Sequence, residues 1–595
     1  MKRFLLPFSM LAAVFLAGCS GWMYFLPGRP AEIVKENDVA IPMRDGVILR
    51  ADIWRPAGDG KFPVLVYRTP YDKRRSPESY ATYRKAVERG YAVVMQDVRG
   101  RYASAGEFLP YQQEGQDGYD TIEWAAKQPW SSGAVGTFGL SYPGAVQWLA
   151  AMERPPHLKA MVPAMTFSTP RNFFYSGGVF DGSWVGWVWN NIAPDVRMKK
   201  SLPGPRTGTE ARAAFEKDAA KLQGRLPLAA LDELKDIAPW YFEWLRHEPR
   251  DAWWEWCELR NKYDRTDAAV LNLSGWYDEA YGPEGATTNY SGVVAARKRQ
   301  ADKRAHLIIG PWVHGVGATK ETKAGVRDFG PQSAIDYDEV VLRWMDRYVK
   351  GIDNGVEKEK PVRVFVMGRN AWREADAWPI PSTQAKPLYL SSTASTDKPG
   401  ELSWTAPQKS AASSSFVSDP ANPVTDPYPA YSGGHDYSPM AKRSDVLIFE
   451  TAPLAQDTEV TGNITAEIYI SCDAPDTDLW VKLLDVAPDG QAVNLMSPGL
   501  DVQRASYRNE RGPRELLQPG RVYKLVLKNL ITSNAFLKGH RIRAQISAAF
   551  FPHFSRNLHT GKLETESAEM RRATIRVHHD RKYPSRIILP IVAAK

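Results

Sequence analysis

The residues best suited to chemistry stand in Gly139-Leu140-Ser141-Tyr142-Pro143-Gly144, between a short apolar run and Val146 to Met152, a run with helical spacing. A serine on so tight a strand-to-helix turn is pushed out at the carboxyl end of its strand. The first N–H groups of the next helix then point at whatever it attacks. That is the arrangement of a nucleophile elbow, although here the second glycine lies three residues after the serine instead of two. A serine needs a base to take its proton and a carboxylate to orient that base. Two further apolar strands end in such groups, in the chain order that α/β-hydrolases use: Asp278 after Ala268 to Leu273, and His314 after Ala305 to Ile309. His157, His247 and His306 compete as the base, but none stands at the carboxyl end of a strand. Asp97 and Glu279 compete as the acid, and Asp97 would break the order. Tyr71, just past the strand Phe62 to Tyr67, either packs or supplies a second donor for the oxyanion beside the Tyr142 N–H.

These groups require a parallel sheet. Val39 to Met43 and Val47 to Trp54 flank Asp45-Gly46 as a hairpin, followed by strands at Phe62 to Tyr67, Tyr91 to Gln96 and Leu158 to Val162. Helical segments at about 79–89 and 116–127 alternate with them. Strands apolar on both faces indicate a sheet covered on two sides, with reacting groups outside the carboxyl ends. From 166 to 261 the alternation lapses into a helical, tryptophan-rich cap, whose Trp184 and Trp187 either line a pocket over Ser141 or hold cap helices together. The rhythm returns over 262–380, with a helix at about 334–349 and a strand at Val362 to Val366. Past 381, short alternating runs between Ser/Thr/Pro/Gly-rich stretches indicate a β-sandwich to the end of the chain. The α/β-hydrolase part therefore spans 36–165 and 262–380.

Residues 1–18 have the form of a bacterial export leader: Lys2 and Arg3, a short apolar core, then Leu16-Ala17-Gly18-Cys19. A cysteine there matches a lipobox, so cleavage before Cys19 and acylation of its thiol are expected, with 19–35 as a linker and the enzyme tethered to the cell envelope by lipid. The formal charge of +8 is small for 595 residues and dispersed, and two of those charges sit on Lys2 and Arg3. Nucleic-acid binding is not expected. With three cysteines no thiolate metal site can be built, Cys257 and Cys472 read as free thiols, and His578-His579 reads as surface. No cofactor is expected.

Several strings together resemble the cocaine esterase / X-Pro dipeptidyl-peptidase family: Arg68-Thr69-Pro70-Tyr71-Asp72-Lys73, Gln96-Asp97-Val98-Arg99-Gly100, the elbow, Gly275-Trp276-Tyr277-Asp278 and Gly310-Pro311-Trp312-Val313-His314. The resemblance continues through Phe365-Val366-Met367-Gly368, Trp372-Arg373, Thr532-Ser533-Asn534 and Gly539-His540-Arg541-Ile542. The family's elbow is G-x-S-Y-x-G, which matches the spacing here. The resemblance implies an α/β-hydrolase domain, a helical cap and a C-terminal jelly roll. It implies Ser141 as nucleophile, His314 as base, Asp278 as orienting acid, and Tyr71 O–H with Tyr142 N–H as the oxyanion hole. Where the esterase branch carries Gly-Phe after its acid, this chain has Glu279-Ala280, so an aromatic acyl group does not carry over; Glu279 could meet a substrate amine or simply face solvent. The function expected is cleavage of an ester or amide, in a small molecule or short peptide, through an acyl-enzyme. The alternative is a catalytically silent envelope lipoprotein whose jelly roll binds a glycan or partner.

Overall fold

The structure is a computed structural model that describes residues 32–595 apart from 279–280, 298–303, 396–397, 429–431, 497–499, 510–511 and 594–595. Its centre is a ten-stranded sheet built from β1 (Ile33–Pro42), β2 (Ile48–Pro56), β3 (Phe62–Thr69), β4 (Ala92–Asp97), β5 (Ser131–Leu140), β6 (Leu158–Ala164), β7 (Ala269–Tyr277), β8 (Ala305–Val313), β9 (Val362–Val366) and β10 (Ala371–Ala375). The spatial order is β1-β2-β4-β3-β5-β6-β7-β8-β9-β10. Strands β3 to β9 run parallel, while β1, β2 and β10 pair antiparallel at the two edges. Every residue of β4 and of β7 is buried, as strands covered on both faces must be.

Two hydrophobic cores result, one on each face. Helices Glu114–Ala126, Tyr142–Met152 and Gly282–Ala296 pack on one face through Ile122, Trp148 and Tyr290. Helices Thr82–Glu88 and Tyr337–Tyr348 pack on the other through Tyr83, Val87, Val341 and Met345. The single helix expected at about 79–89 is two, Ser76–Ser79 and Thr82–Glu88, separated by Tyr80 and Ala81.

Between β6 and β7 the chain leaves the sheet. It forms helices Ser183–Trp187, Ala193–Lys200, Gly208–Gln223 and Pro239–Arg246 and a small hairpin of Tyr175–Ser176 with Val179–Phe180. Aromatic rings hold this region together, with Phe174 and Trp244 centroids 4.4 Å apart and Trp240 and Trp244 4.6 Å apart. Beyond β10, strands from Thr383–Leu390 to Arg586–Val592 form a β-sandwich with its own core of Ala466, Ile468, Ile470, Val481, Leu483, Leu525, Ile575 and Leu589. The sandwich is sewn to the rest by main-chain bonds: Met367 N to Ser533 O (3.0 Å), Ala535 N to Met367 O (2.7 Å), Gly182 N to His553 O (2.7 Å) and Leu228 N to Glu564 O (2.9 Å).

Candidate active site

Strand β5 ends at Leu140 and a helix starts at Tyr142, so Ser141 makes the whole turn. Its backbone has φ 70° and ψ −126°, a region that costs a non-glycine residue about 1–3 kcal/mol. The neighbours explain why the flanking glycines are needed. A Cβ on Gly139 would lie 2.5 Å from Pro143 Cβ, and one on Gly144 would lie 2.5 Å from the Ala164 carbonyl oxygen. The turn is tied down by Ser141 N donating to Ala164 O (3.0 Å) and by Gly144 N and Ala145 N donating to Ser141 O (2.9 Å each). Tyr142 is the first helical residue, so its N–H has no acceptor within the helix and is available to a ligand.

Strands β7 and β8 are neighbours, and Tyr277 and Val313 are register partners at their carboxyl ends. The next residue on each strand carries the chemistry. His314 Nδ1 lies 2.5 Å from Asp278 Oδ1. A carboxylate only accepts, so Nδ1 carries the proton and Nε2 is left as the basic nitrogen. Asp278 is fully buried, and its other oxygen accepts from Ser274 Oγ at 3.2 Å. Gly282, at the start of the following helix, leaves room for this carboxylate: a Cβ there would fall 1.9 Å from Asp278 Oδ2.

Ser141, His314 and Tyr71 line one cavity of about 1460 Å³. Trp184 and Trp187 of the cap line it too, while Tyr428, Phe551 and His553 bring the β-sandwich to its wall. Trp187 Nε1 donates to Tyr71 Oη at 2.9 Å. An indole N–H only donates, so the phenol oxygen accepts there and its own proton is left for the cavity. Burial pushes the Tyr71 phenol up to about 12 against the opposing hydrogen bonds of Trp187 and Ser141, so it stays protonated at neutral pH. The Tyr142 ring is clamped from behind. Its hydroxyl donates to Glu114 Oε1 (2.7 Å) and accepts from Tyr111 N (3.0 Å), and Glu114 pairs with Arg68 at 2.8 Å, all of them buried. Burial raises the Glu114 carboxyl above its ordinary value, with Arg68 pulling the other way.

The competing groups have other partners. His157 Nδ1 bonds Glu123 at 2.8 Å, and His247 bonds Asp251 and stacks on Trp253. His306 is buried beside Trp344 and lowered to about 4 by desolvation. Asp97 is buried, receiving Lys73 N at 2.7 Å and Ala103 N at 3.2 Å. Glu279 and Cys19 lie outside the described residues. Cys257 and Cys472 are free, buried thiols. One expectation is corrected: His579 is not on the surface but fully buried, with Nε2 3.0 Å from Ser414 Oγ. Sequence reasoning missed Glu114, Tyr111 and the sandwich residues at the cavity. The phenol at position 142 is buried and needs a partner, but nothing in the spacing points to Glu114 or Tyr111.

Two family models match the chain. X-Pro dipeptidyl-peptidase (S15 family) matches residues 45–316, and X-Pro dipeptidyl-peptidase C-terminal non-catalytic domain matches residues 354–588. Cocaine esterase of Rhodococcus sp. (strain MB1 Bresler) is 34% identical over 581 residues, covering 93% of this chain and 98% of that one. Among solved structures, an α-amino acid ester hydrolase superposes with a TM-score of 0.80 at 25% identity, over 96% of this chain and 98% of that one. An aminopeptidase from the marine sediment archaeon Thaumarchaeota archaeon gives 0.79 at 25% identity, over 97% and 99%.

Proposed function

Since the chain belongs to the X-Pro dipeptidyl-peptidase S15 family and is a hydrolase of that family, we propose that it cleaves an ester or amide through an acyl-enzyme on Ser141. The observation that carries this reading is the Nδ1···Oδ1 contact of 2.5 Å between His314 and Asp278, in the cavity that the strained Ser141 also lines. In this mechanism His314 Nε2 takes the Ser141 proton as Oγ attacks the acyl carbon. Asp278, accepting from Nδ1–H, holds the ring and stabilises the imidazolium that forms. The carbonyl oxygen becomes an oxyanion between Tyr142 N–H and Tyr71 O–H, two donors aimed where charge develops. The tetrahedral intermediate collapses, and His314 returns the proton to the departing alcohol or amine. Water, activated by the same imidazole, then releases the acid and restores Ser141.

The relatives divide over the bond cleaved: two are named for ester cleavage and one as an aminopeptidase. Trp187 of the cap bonds Tyr71 and stands against Trp184 in the cavity wall, which favours an apolar acyl group. Short acyl esters assayed beside Xaa-Pro anilides on the wild-type chain separate the two activities, with the esters expected to turn over faster. Loss of both in Ser141→Ala is required; turnover of either by that variant rejects the nucleophile. A silent scaffold is the weaker reading, since these relatives are named as enzymes. The leader and Cys19 support lipid tethering in the envelope, tested by metabolic labelling with a fatty acid and its loss in Cys19→Ala.

A further inference from the structure

Several of the strings that carry the family resemblance hold no reacting group: Phe365-Val366-Met367-Gly368, Trp372-Arg373, Thr532-Ser533-Asn534 and Gly539-His540. In the structure they converge on the seam between the β-sandwich and the strands that end in Asp278 and His314. Trp276 Nε1 donates to Phe365 O at 2.7 Å, and Met367 joins Ser533 and Ala535 by two main-chain bonds. Arg373 makes a two-pronged pair with the buried Glu459 at 2.9 and 2.7 Å. A Cβ on Gly368 would lie 2.1 Å from Ala535 O, so the two backbones are in direct contact.

One member of this seam touches the site directly. Tyr277, fully buried, immediately precedes Asp278 and is the register partner of Val313, which immediately precedes His314. Its hydroxyl reaches out of the α/β sheet and donates to the main-chain oxygen of Asn494 in the sandwich, at 2.9 Å. It accepts from Arg327 Nη1 at 3.2 Å, and Arg327 Nη2 donates to Asn534 Oδ1 at 3.1 Å. Asn534 Nδ2 contacts Asp485 Oδ2 at 3.4 Å, and His540 Nδ1 lies 2.7 Å from Asp485 Oδ1. Asn494 is itself fixed, because its side chain donates to the carbonyls of Gly433 and Met496 and accepts from His435 N.

We propose that the C-terminal β-sandwich positions the acid–base half of the site, with the Tyr277 hydroxyl as its point of attachment. Tyr277 is a positioning residue: it touches no substrate and acts through the backbone that presents Asp278, and so through Asp278 on His314. A buried phenol held by a main-chain oxygen and a guanidinium has both hydrogen-bonding functions used, so the end of β7 has little freedom to move away from β8. Displacing a reacting group by about 1 Å costs on the order of a hundredfold in rate, so a small slackening is visible in kcat.

This inference rests on the role proposed above for Asp278, and its test keeps the two apart. Tyr277→Phe removes one oxygen and keeps the ring. It is expected to lower kcat about tenfold with KM within about twofold, because an interaction made only in the transition state is weakened. Arg327→Met, which leaves Tyr277 and Asn494 in place, is expected to lower kcat by a smaller factor in the same direction. It also serves if Tyr277→Phe folds poorly. The deciding measurement is a cycle with Asp278→Asn on an activated ester. If Tyr277 acts through Asp278, adding Tyr277→Phe to Asp278→Asn changes kcat by less than about twofold. An unchanged kcat in both Tyr277→Phe and Arg327→Met overturns the inference, and so does a full tenfold loss that persists in the Asp278→Asn background. Should Asp278→Asn itself retain wild-type turnover, the role of Asp278 fails, and the positioning argument with it.

Discussion

The two halves of the site are held by different parts of the molecule. The Ser141 half is braced from within the α/β domain: Ser141 sits on a turn whose flanking glycines admit no Cβ, and Tyr142 is clamped by Glu114 and Arg68. The Asp278–His314 half is braced partly from outside, since Tyr277, one residue before Asp278, is bonded to Asn494 of the β-sandwich. The first brace rests on a buried ion pair, the second on a phenol held between one main-chain oxygen and a guanidinium. The difference separates two demands of the chemistry. The oxyanion donors need a rigid, desolvated frame, whereas the imidazole and its acid need only be kept in line with one another. In this chain a C-terminal domain of a kind described as non-catalytic is bonded to the residue that precedes Asp278.

Substitutions that strike one half and spare the other sharpen this comparison. The largest effect is expected for Asp278→Asn, which keeps the shape but offers His314 the wrong hydrogen-bonding partner. A loss of about 10⁴ in kcat is anticipated from steady-state kinetics, with little change in KM. Next comes Tyr71→Phe, which removes one oxyanion donor; kcat should fall by about 10²–10³, and affinity for a boronic acid that forms a tetrahedral adduct should fall in parallel. The smallest is Glu114→Gln. The Tyr142 hydroxyl keeps an acceptor, but Arg68 loses the nearer of its two buried carboxylates and keeps only Asp117 at 4.0 Å. Stability in urea should therefore drop by roughly 1–3 kcal/mol, and kcat should fall by roughly threefold to tenfold. If Glu114→Gln destabilised the chain without touching kcat, the clamp would serve the fold alone, and the contrast between the two braces would disappear.

How much of this could be read from the sequence differs sharply from residue to residue. The turn at Ser141 was legible because Gly139 and Gly144 on either side of a strand-to-helix junction impose its backbone, and backbone demands are written locally. The placing of Asp278 and His314 side by side was legible because each follows a mostly apolar, buried strand, and parallel sheets collect groups at those ends. Glu114 was not legible, for it lies 28 residues from Tyr142 in a helix whose placement only the folded sheet decides. The attachment at Tyr277 was hidden for the same reason, its partner being more than two hundred residues away. In the sandwich, short alternating runs were visible but Ser413–Ser418, with Phe416 as its one buried large side chain, was not. Strand β10 was missed because Ala371–Ala375 is an edge strand with no fully buried residue. His579 looked solvated among polar neighbours, yet Ser414 on an adjacent strand gives its ring a buried partner.

The central claim is that Ser141 carries the acyl group between two half-reactions. Intact-protein and peptide mass spectrometry after rapid acid quenching of the enzyme with an activated acyl ester tests it directly. The account predicts a mass increase equal to the acyl group, located on the peptide that contains Ser141 and missing in Ser141→Ala. Steady turnover with no acyl adduct at any time point, or an adduct on another residue that persists in Ser141→Ala, would contradict it.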